Sequence, residues 1–244
     1  TGLEYGALEG LLKPFLHTWS LSVEEQYYIV FPVLLLIIYK LFKKNLLILM
    51  LIALVISFFI ASWTSVKFPS ASFYFLHTRM WELLAGSILA YLEIKNQRRW
   101  FFSNKLINRI LTILGIILIG HAIVFYNDDT LHPSAYTLTP IIGVCLIIWF
   151  AHKDEIITKI FSSKIFVGTG LISYSLYLWH YPVFALFRYS LASGSLLKKI
   201  LIIIFIILAS IFTFFFVERP FRNRKKIFFQ LLLKFLFILV VPLI

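Results

Sequence analysis

The sequence predicts an all-α fold, a polytopic transmembrane bundle of seven to eight helices. Three observations carry that expectation. Of 244 residues, 61% are hydrophobic, 18% aromatic and only 14% charged, too little polar material to cover a soluble domain of this length. Apolar runs of about 18 to 23 residues recur along the chain, each able to cross a hydrocarbon layer roughly 30 Å thick. The basic residues behind the net charge of +12 lie between those runs, not in one patch.

Taken in order, the expected membrane helices are Val23–Phe42, Leu46–Thr64, Ser72–Ile94, Leu106–Phe125, Pro133–Ala151, Gly168–Tyr189 and Ile200–Val217. An eighth run, Ile227–Ile244, is interrupted by Gln230 and Lys234. Ser22 followed by Glu25 has the form of a capping box. It starts the first helix near Val23 and puts Glu24 and Glu25 in the first turn, where the helix dipole favours negative charge. Pro32 and Pro182 each remove a backbone donor and are expected to bend their helices. Pro69, Asn127-Asp128-Asp129 and Ser193-Gly194-Ser195 punctuate the loops.

With alternating loops and the first residues outside, sixteen of the 23 basic residues fall in inner segments, at Lys40–Lys44, Lys95–Arg109, Lys153–Lys164 and Arg219–Lys226. Four fall outside: Lys13, Lys67, Lys198 and Lys199. This asymmetry orients the chain by the positive-inside rule and accounts for the charge without a nucleic-acid partner. Cys145, the only cysteine, lies in an apolar run, which leaves neither a disulfide framework nor a thiolate metal site. The chain starts at Thr1 without a methionine or a signal peptide, so a fragment is expected.

The richest chemistry lies in the stretch HTWSLSVEEQYYIVFP, His17 to Pro32. Trp19, Ser20, Glu24 and Glu25 there suit either a capped membrane helix or a polar pocket at the mouth of an enzyme. A triad of His17, Ser20 and Glu24 is disfavoured, because no nucleophile elbow surrounds the serine. Arg79 and Glu82, three residues apart, share a helical face well inside the hydrocarbon. Intramembrane charges of this kind mark either a functional pathway or a buried structural pair. Ser173, Tyr177 and His180 form a hydroxyl-lined stripe that ends in imidazole, suited to a sugar or an acyl carbonyl. A core histidine is the structural alternative. His77 and His121 sit near helix ends without evident partners and read as non-functional. Asp128, Asp129 and His132 read as a solvated loop more than a cation site. The basic residues from Arg219 to Lys226 read as topology determinants, with lipid headgroups or a coenzyme phosphate as lesser partners.

The motif WSLSVEEQYYIVFP resembles the signature of the membrane-bound acyltransferase family 3, the bacterial O-acyltransferases of cell-surface sugars. The longer LLKPFLHTWSLSVEEQYYIVFP is similar to the branch that acetylates O-antigen and lipopolysaccharide. RMWELLAG, ISYSLYLWHYPV and FVERPFR fit the same family in the same order, so the resemblance covers nearly the whole chain.

The resemblance implies a multi-pass enzyme of the bacterial inner membrane. It would move an acetyl or short acyl group from acyl-CoA, a donor substrate and not a bound cofactor, to a surface glycan or lipid-linked saccharide. Glu24, Glu25 and His180 are then the catalytic candidates. Trp19, Ser20, Arg79, Glu82 and Tyr177 are the substrate-binding ones, with Arg79 positioning an anionic or polar group and Gly86 permitting close helix packing. Family members typically have ten helices beginning in the cytoplasm. Residues 1–226 would thus be an N-terminally truncated membrane domain that lacks the helices bearing the principal base. Residues 227–244 would be an additional helix leading toward an absent SGNH-type domain. The alternatives are a transporter or channel that uses Arg79, Glu82 and His180 as relays, and a non-catalytic scaffold for polysaccharide assembly.

Overall fold

The computed structural model describes residues 14–96, 104–127, 130–152, 155–188 and 195–222. The eighth apolar run, Asp128, Asp129 and the basic residues beyond Arg222 lie outside the described residues. Among the described residues all regular structure is helical. The helices are α1 (Trp19–Phe42), α2 (Leu46–Lys67), α3 (Pro69–Tyr74), α4 (Leu76–Asn96), α5 (Lys105–Phe125), α6 (Leu138–Phe150), α7 (Ile156–Phe161), α8 (Lys164–Leu186) and α9 (Leu196–Thr213). A π-helical turn, Phe214–Glu218, follows α9 and ends in the short turn Arg219–Arg222.

The packing is that of a membrane protein. Leu36, Ile117, Leu186 and Leu208 are among many large apolar side chains left exposed. Ser57, Ser65, Ser72, Thr78, Thr112, Ser175 and Ser210 are buried. Small hydroxyl residues let helices approach closely and bond across the seam, while lipid covers the apolar outside. Among the described residues three stretches are both long and apolar enough to cross a membrane: Leu16–Lys67, which contains α1 and α2, then Lys105–Phe125 and Leu196–Arg222. At 21 and 23 residues, α4 and α8 are long enough as well. They carry Arg79 and Glu82, and Tyr177 and His180, so their lower apolarity coincides with the candidate site residues.

The chain forms two compact units, residues 18–161 and residues 1–17 with 162–244. In the first, Tyr27 Oη lies 2.8 Å from Ser87 Oγ and ties α1 to α4. Ser57 Oγ of α2 donates to the His77 carbonyl (2.6 Å) and accepts the Trp81 N–H (3.1 Å), which locks α2 onto α4. Tyr27, Leu46, Met50, Leu84 and Ile88 fill the core between them. Helices α5 and α6 touch backbone to backbone: a Cβ on Gly115 would stand 2.6 Å from the Gly143 carbonyl oxygen. Gly86, by contrast, has nothing within 4 Å of such a Cβ. Close packing therefore falls at Gly115 and Gly143, not at Gly86 as expected.

In the second unit α8 packs on α9 through Val183, Ile202 and Ile206. Trp179 Nε1 donates to Thr213 Oγ1 (2.9 Å), and Ser175 Oγ donates to Glu218 Oε2 (3.0 Å). Trp179 and Ser175 are one α-turn apart, but Thr213 and Glu218 are five residues apart. In an α-helix five residues would diverge by about 140°. The π turn stacks i over i+5 and so returns Glu218 to the α8 face.

Three expected boundaries are corrected. Helix α1 starts at Trp19, and its N-cap Thr18 makes no side-chain cap bond. The 3₁₀ turn Leu16–Thr18 leads in with helical dihedrals at Thr18. The backbone thus has no break at Ser22 for a capping box to fill, and Glu24 and Glu25 fall beyond the first turn. The expected Ser72–Ile94 helix is two helices, because Phe75 is extended (φ −93°, ψ 142°). The Thr78 hydroxyl bonds the carbonyls of Ser72 (2.6 Å) and Phe75 (2.7 Å), which satisfies acceptors freed by the break. The segment before α6 forms a separate capped turn, Ala135–Thr137, with Ser134 as its N-cap.

Candidate active-site residues

The first cluster belongs to residues 18–161. The Arg79 guanidinium lies over the Trp19 ring, 5.0 Å from its centroid, and 6.0 Å from that of Phe73. Arg79 Nε and Nη2 both donate to Glu82 Oε2, at 3.2 and 3.0 Å. This is the shared helical face read from the spacing. The depth differs from that reading: with α4 starting at Leu76, Arg79 is only about 4.5 Å along its helix. The pair sits near a helix end, half in reach of water, with side chains 26% and 13% exposed. Glu82 Oε1 is buried and has no hydrogen-bond partner among the described residues. A buried carboxylate oxygen left unbonded is costly, and a ligand hydroxyl or N–H would satisfy it.

His132, on the α5–α6 connection, belongs to the same end. Burial first, and the nearby Arg79 charge second, hold its pKa below the ordinary 6.5. Both effects favour the neutral ring over the charged one. Among the described residues Glu24 and Glu25 have neither an ion pair nor a hydrogen bond; Glu24 is half-buried and Glu25 exposed. Ser20 is half-buried.

The second cluster belongs to the other unit. His17 is buried, and its Nε2–H donates to the Tyr177 carbonyl (3.0 Å). The Tyr177 hydroxyl donates back to the His17 carbonyl. A carbonyl can only accept, so in neutral His17 the lone pair is on Nδ1. His180 Nδ1–H donates to the Leu176 carbonyl (3.2 Å), which leaves Nε2 as its lone-pair nitrogen. His17 stacks on Tyr181 (4.8 Å between centroids) and meets His180 edge-on (5.4 Å). Two imidazoles and two phenols thus share one cluster.

The expected stripe loses Ser173, whose hydroxyl turns back to the Gly170 carbonyl (2.8 Å). The triad of His17, Ser20 and Glu24 does not form, since the hydrogen bonds of His17 run to Tyr177. Sequence reading missed His17 as a partner of His180. The two are brought together by tertiary contact, and the only local signal is that His17 adjoins the WSLSVEEQ motif. His77 stacks on Phe75 and His121 lies tilted against Phe125, so each has a ring partner that was not expected, although both histidines are exposed.

Comparison with known proteins gives this geometry a family. Over 227 residues the chain is 29% identical to the peptidoglycan O-acetyltransferase OatA of Listeria monocytogenes, a match covering 88% of this chain and 36% of the relative. Over 229 residues it is 28% identical to the O-acetyltransferase OatA of Staphylococcus aureus, covering 87% of this chain and 37% of that protein. The chain thus spans little more than a third of the length of these relatives. No solved structure matches it. Residues 4–242 match the acyltransferase domain of acyltransferase family 3. Nearly its whole length falls within that match, and the chain belongs to this family of acyltransferases.

Proposed function

We propose that the protein containing this chain transfers an acetyl or other short acyl group from acyl-CoA to a sugar hydroxyl of a bacterial envelope glycan at the plasma membrane. The name of the Listeria monocytogenes relative favours peptidoglycan as the acceptor over the O-antigen suggested by the motif alone. The observation that carries the reading is the buried Oε1 of Glu82, unbonded among the described residues, beside a guanidinium 5.0 Å from the Trp19 ring centroid. A carboxylate acceptor next to an Arg donor and an indole face is suited to a sugar, which offers hydroxyl donors, oxygen acceptors and an apolar C–H face.

The chemistry is a substitution at a thioester. A base takes the sugar hydroxyl proton, the oxygen attacks the carbonyl carbon, and the carbon–sulfur bond breaks. The released thiolate takes a proton, so the reaction is balanced with an ester and free CoA. Within the second cluster His180 Nε2 is a candidate base, oriented through its Nδ1–H bond to Leu176. Tyr177 holds the adjoining His17, and Glu24 and Glu25 make no ion pair or hydrogen bond among the described residues. The test is acetyl transfer from labelled acetyl-CoA to peptidoglycan fragments, and in parallel to O-antigen sugars, in membranes containing the protein. Label in peptidoglycan ester is expected. Solute flux without any ester product would replace this reading with the transporter.

A further inference from the structure

At the end of the α5–α6 pair away from His132 lies a cavity of about 170 Å³ lined by Lys105, Asn108, Arg109, His152 and Glu155. Its floor and rim differ in charge. Glu155 and Asn108, only 7% and 4% exposed, form the floor, while Lys105, Arg109 and His152 are exposed at the rim. Among the described residues the fully buried Glu155 Oε2 has no hydrogen-bond partner, and no cation lies within ion-pair distance of it. Lys105 and Arg109 form no ion pair there either. A buried carboxylate without a partner is unfavourable, whereas two solvated cations cost nothing to leave open. A positively charged hydrogen-bond donor entering the cavity would remove the larger penalty.

We propose that this cavity binds a phosphoethanolamine group, with its ammonium on Glu155 and its phosphate on Lys105 and Arg109. The charge order of the site, negative inside and positive at the mouth, is the reverse of that of the ligand. A plain phosphate would use the rim and leave Glu155 unmatched. A quaternary amine would bring charge without an N–H donor. Lys105 opens α5, and Glu155 lies just beyond the end of α6 at Phe150. This is the boundary of an apolar helix pair, where phospholipid headgroups are found. The same chemistry is also offered by soluble phosphoethanolamine esters.

The test is retention of lipid by the purified protein, read by native mass spectrometry after extraction from vesicles of equal phosphatidylethanolamine, phosphatidylglycerol and phosphatidylcholine. Phosphatidylethanolamine should be retained about tenfold over the other two. Glu155→Gln should abolish that preference while phosphatidylglycerol retention stays unchanged, which also shows that the variant is folded. Lys105→Gln with Arg109→Gln should lower retention of both. Displacement by glycerophosphoethanolamine would identify the headgroup alone as sufficient, and no displacement would assign the site to the intact lipid. Equal retention of all three lipids, an unaltered preference in Glu155→Gln, or displacement by an adenine nucleotide but not by phosphoethanolamine would overturn the proposal.

Discussion

Exchanging Arg79 and Glu82 separates a structural pair from a substrate-holding one. In the double variant Arg79→Glu with Glu82→Arg the i, i+3 pair is kept with its charges reversed. The guanidinium moves three residues along α4, about 4.5 Å in rise and about 60° in azimuth. It leaves the Trp19 ring, now 5.0 Å away, which forfeits a cation–π contact worth about 0.5–2 kcal/mol. The ion pair itself is largely restored, so stability should fall by no more than about 2 kcal/mol. Catalysis should fare far worse. The free carboxylate oxygen and its guanidinium neighbour are displaced by several times the roughly 1 Å misplacement that can cost a hundredfold. The expected result is a protein that unfolds within a few degrees of the parent in detergent but transfers acetyl groups at least about a hundredfold more slowly. A swapped protein with near-parental transfer would refute the reasoning and reduce the pair to a structural clip.

Three further outcomes follow. Since no capping box forms, Glu24→Gln and Glu25→Gln should leave thermal stability unchanged, yet at least one should lower acetyl transfer by roughly a hundredfold; parental rates in both would remove them from the site. Gly115→Ala places a methyl 2.6 Å from the Gly143 carbonyl oxygen and 2.9 Å from Ile147 Cγ1. It should cost about 1–3 kcal/mol in thermal unfolding, while Gly120→Ala, with nothing within 4 Å, should cost no such amount. His132 is held below its ordinary pKa of 6.5 by burial and then by Arg79. The unfolded chain therefore takes up the proton first, so stability should decline as pH drops through 6.5 and level off once the folded pKa is passed. A melting-temperature profile of His132→Asn that falls as steeply as the parent's would contradict this.

The apolar runs made most of the helical core legible, because membrane helices must satisfy their own backbone and reveal their length in composition. The pairing of Arg79 with Glu82 was legible too, since a spacing of three fixes a shared face. What escaped was local competition for backbone groups. Nothing in FYFLHTR announces that the Thr78 hydroxyl will take two carbonyls and let Phe75 break the helix. Ser22 and Glu25 match a capping box in letters, but Thr18 has already turned helical. His17 escaped for another reason. Its partners are 160 residues away, and no periodicity reaches that far.

The π turn after α9 has a consequence for variation in this stretch. Phe214, Phe215, Phe216 and Val217 separate Thr213 from Glu218. Removing any one would restore a plain α-helix with Thr213 and Glu218 four positions apart, only about 40° in azimuth, so both would still face α8. Exchanging one apolar residue for another should be cheap there, because all but Phe214 are exposed. The π turn is thus one extra residue absorbed between two fixed contacts, and a single-codon deletion here should be tolerated about as well as a substitution.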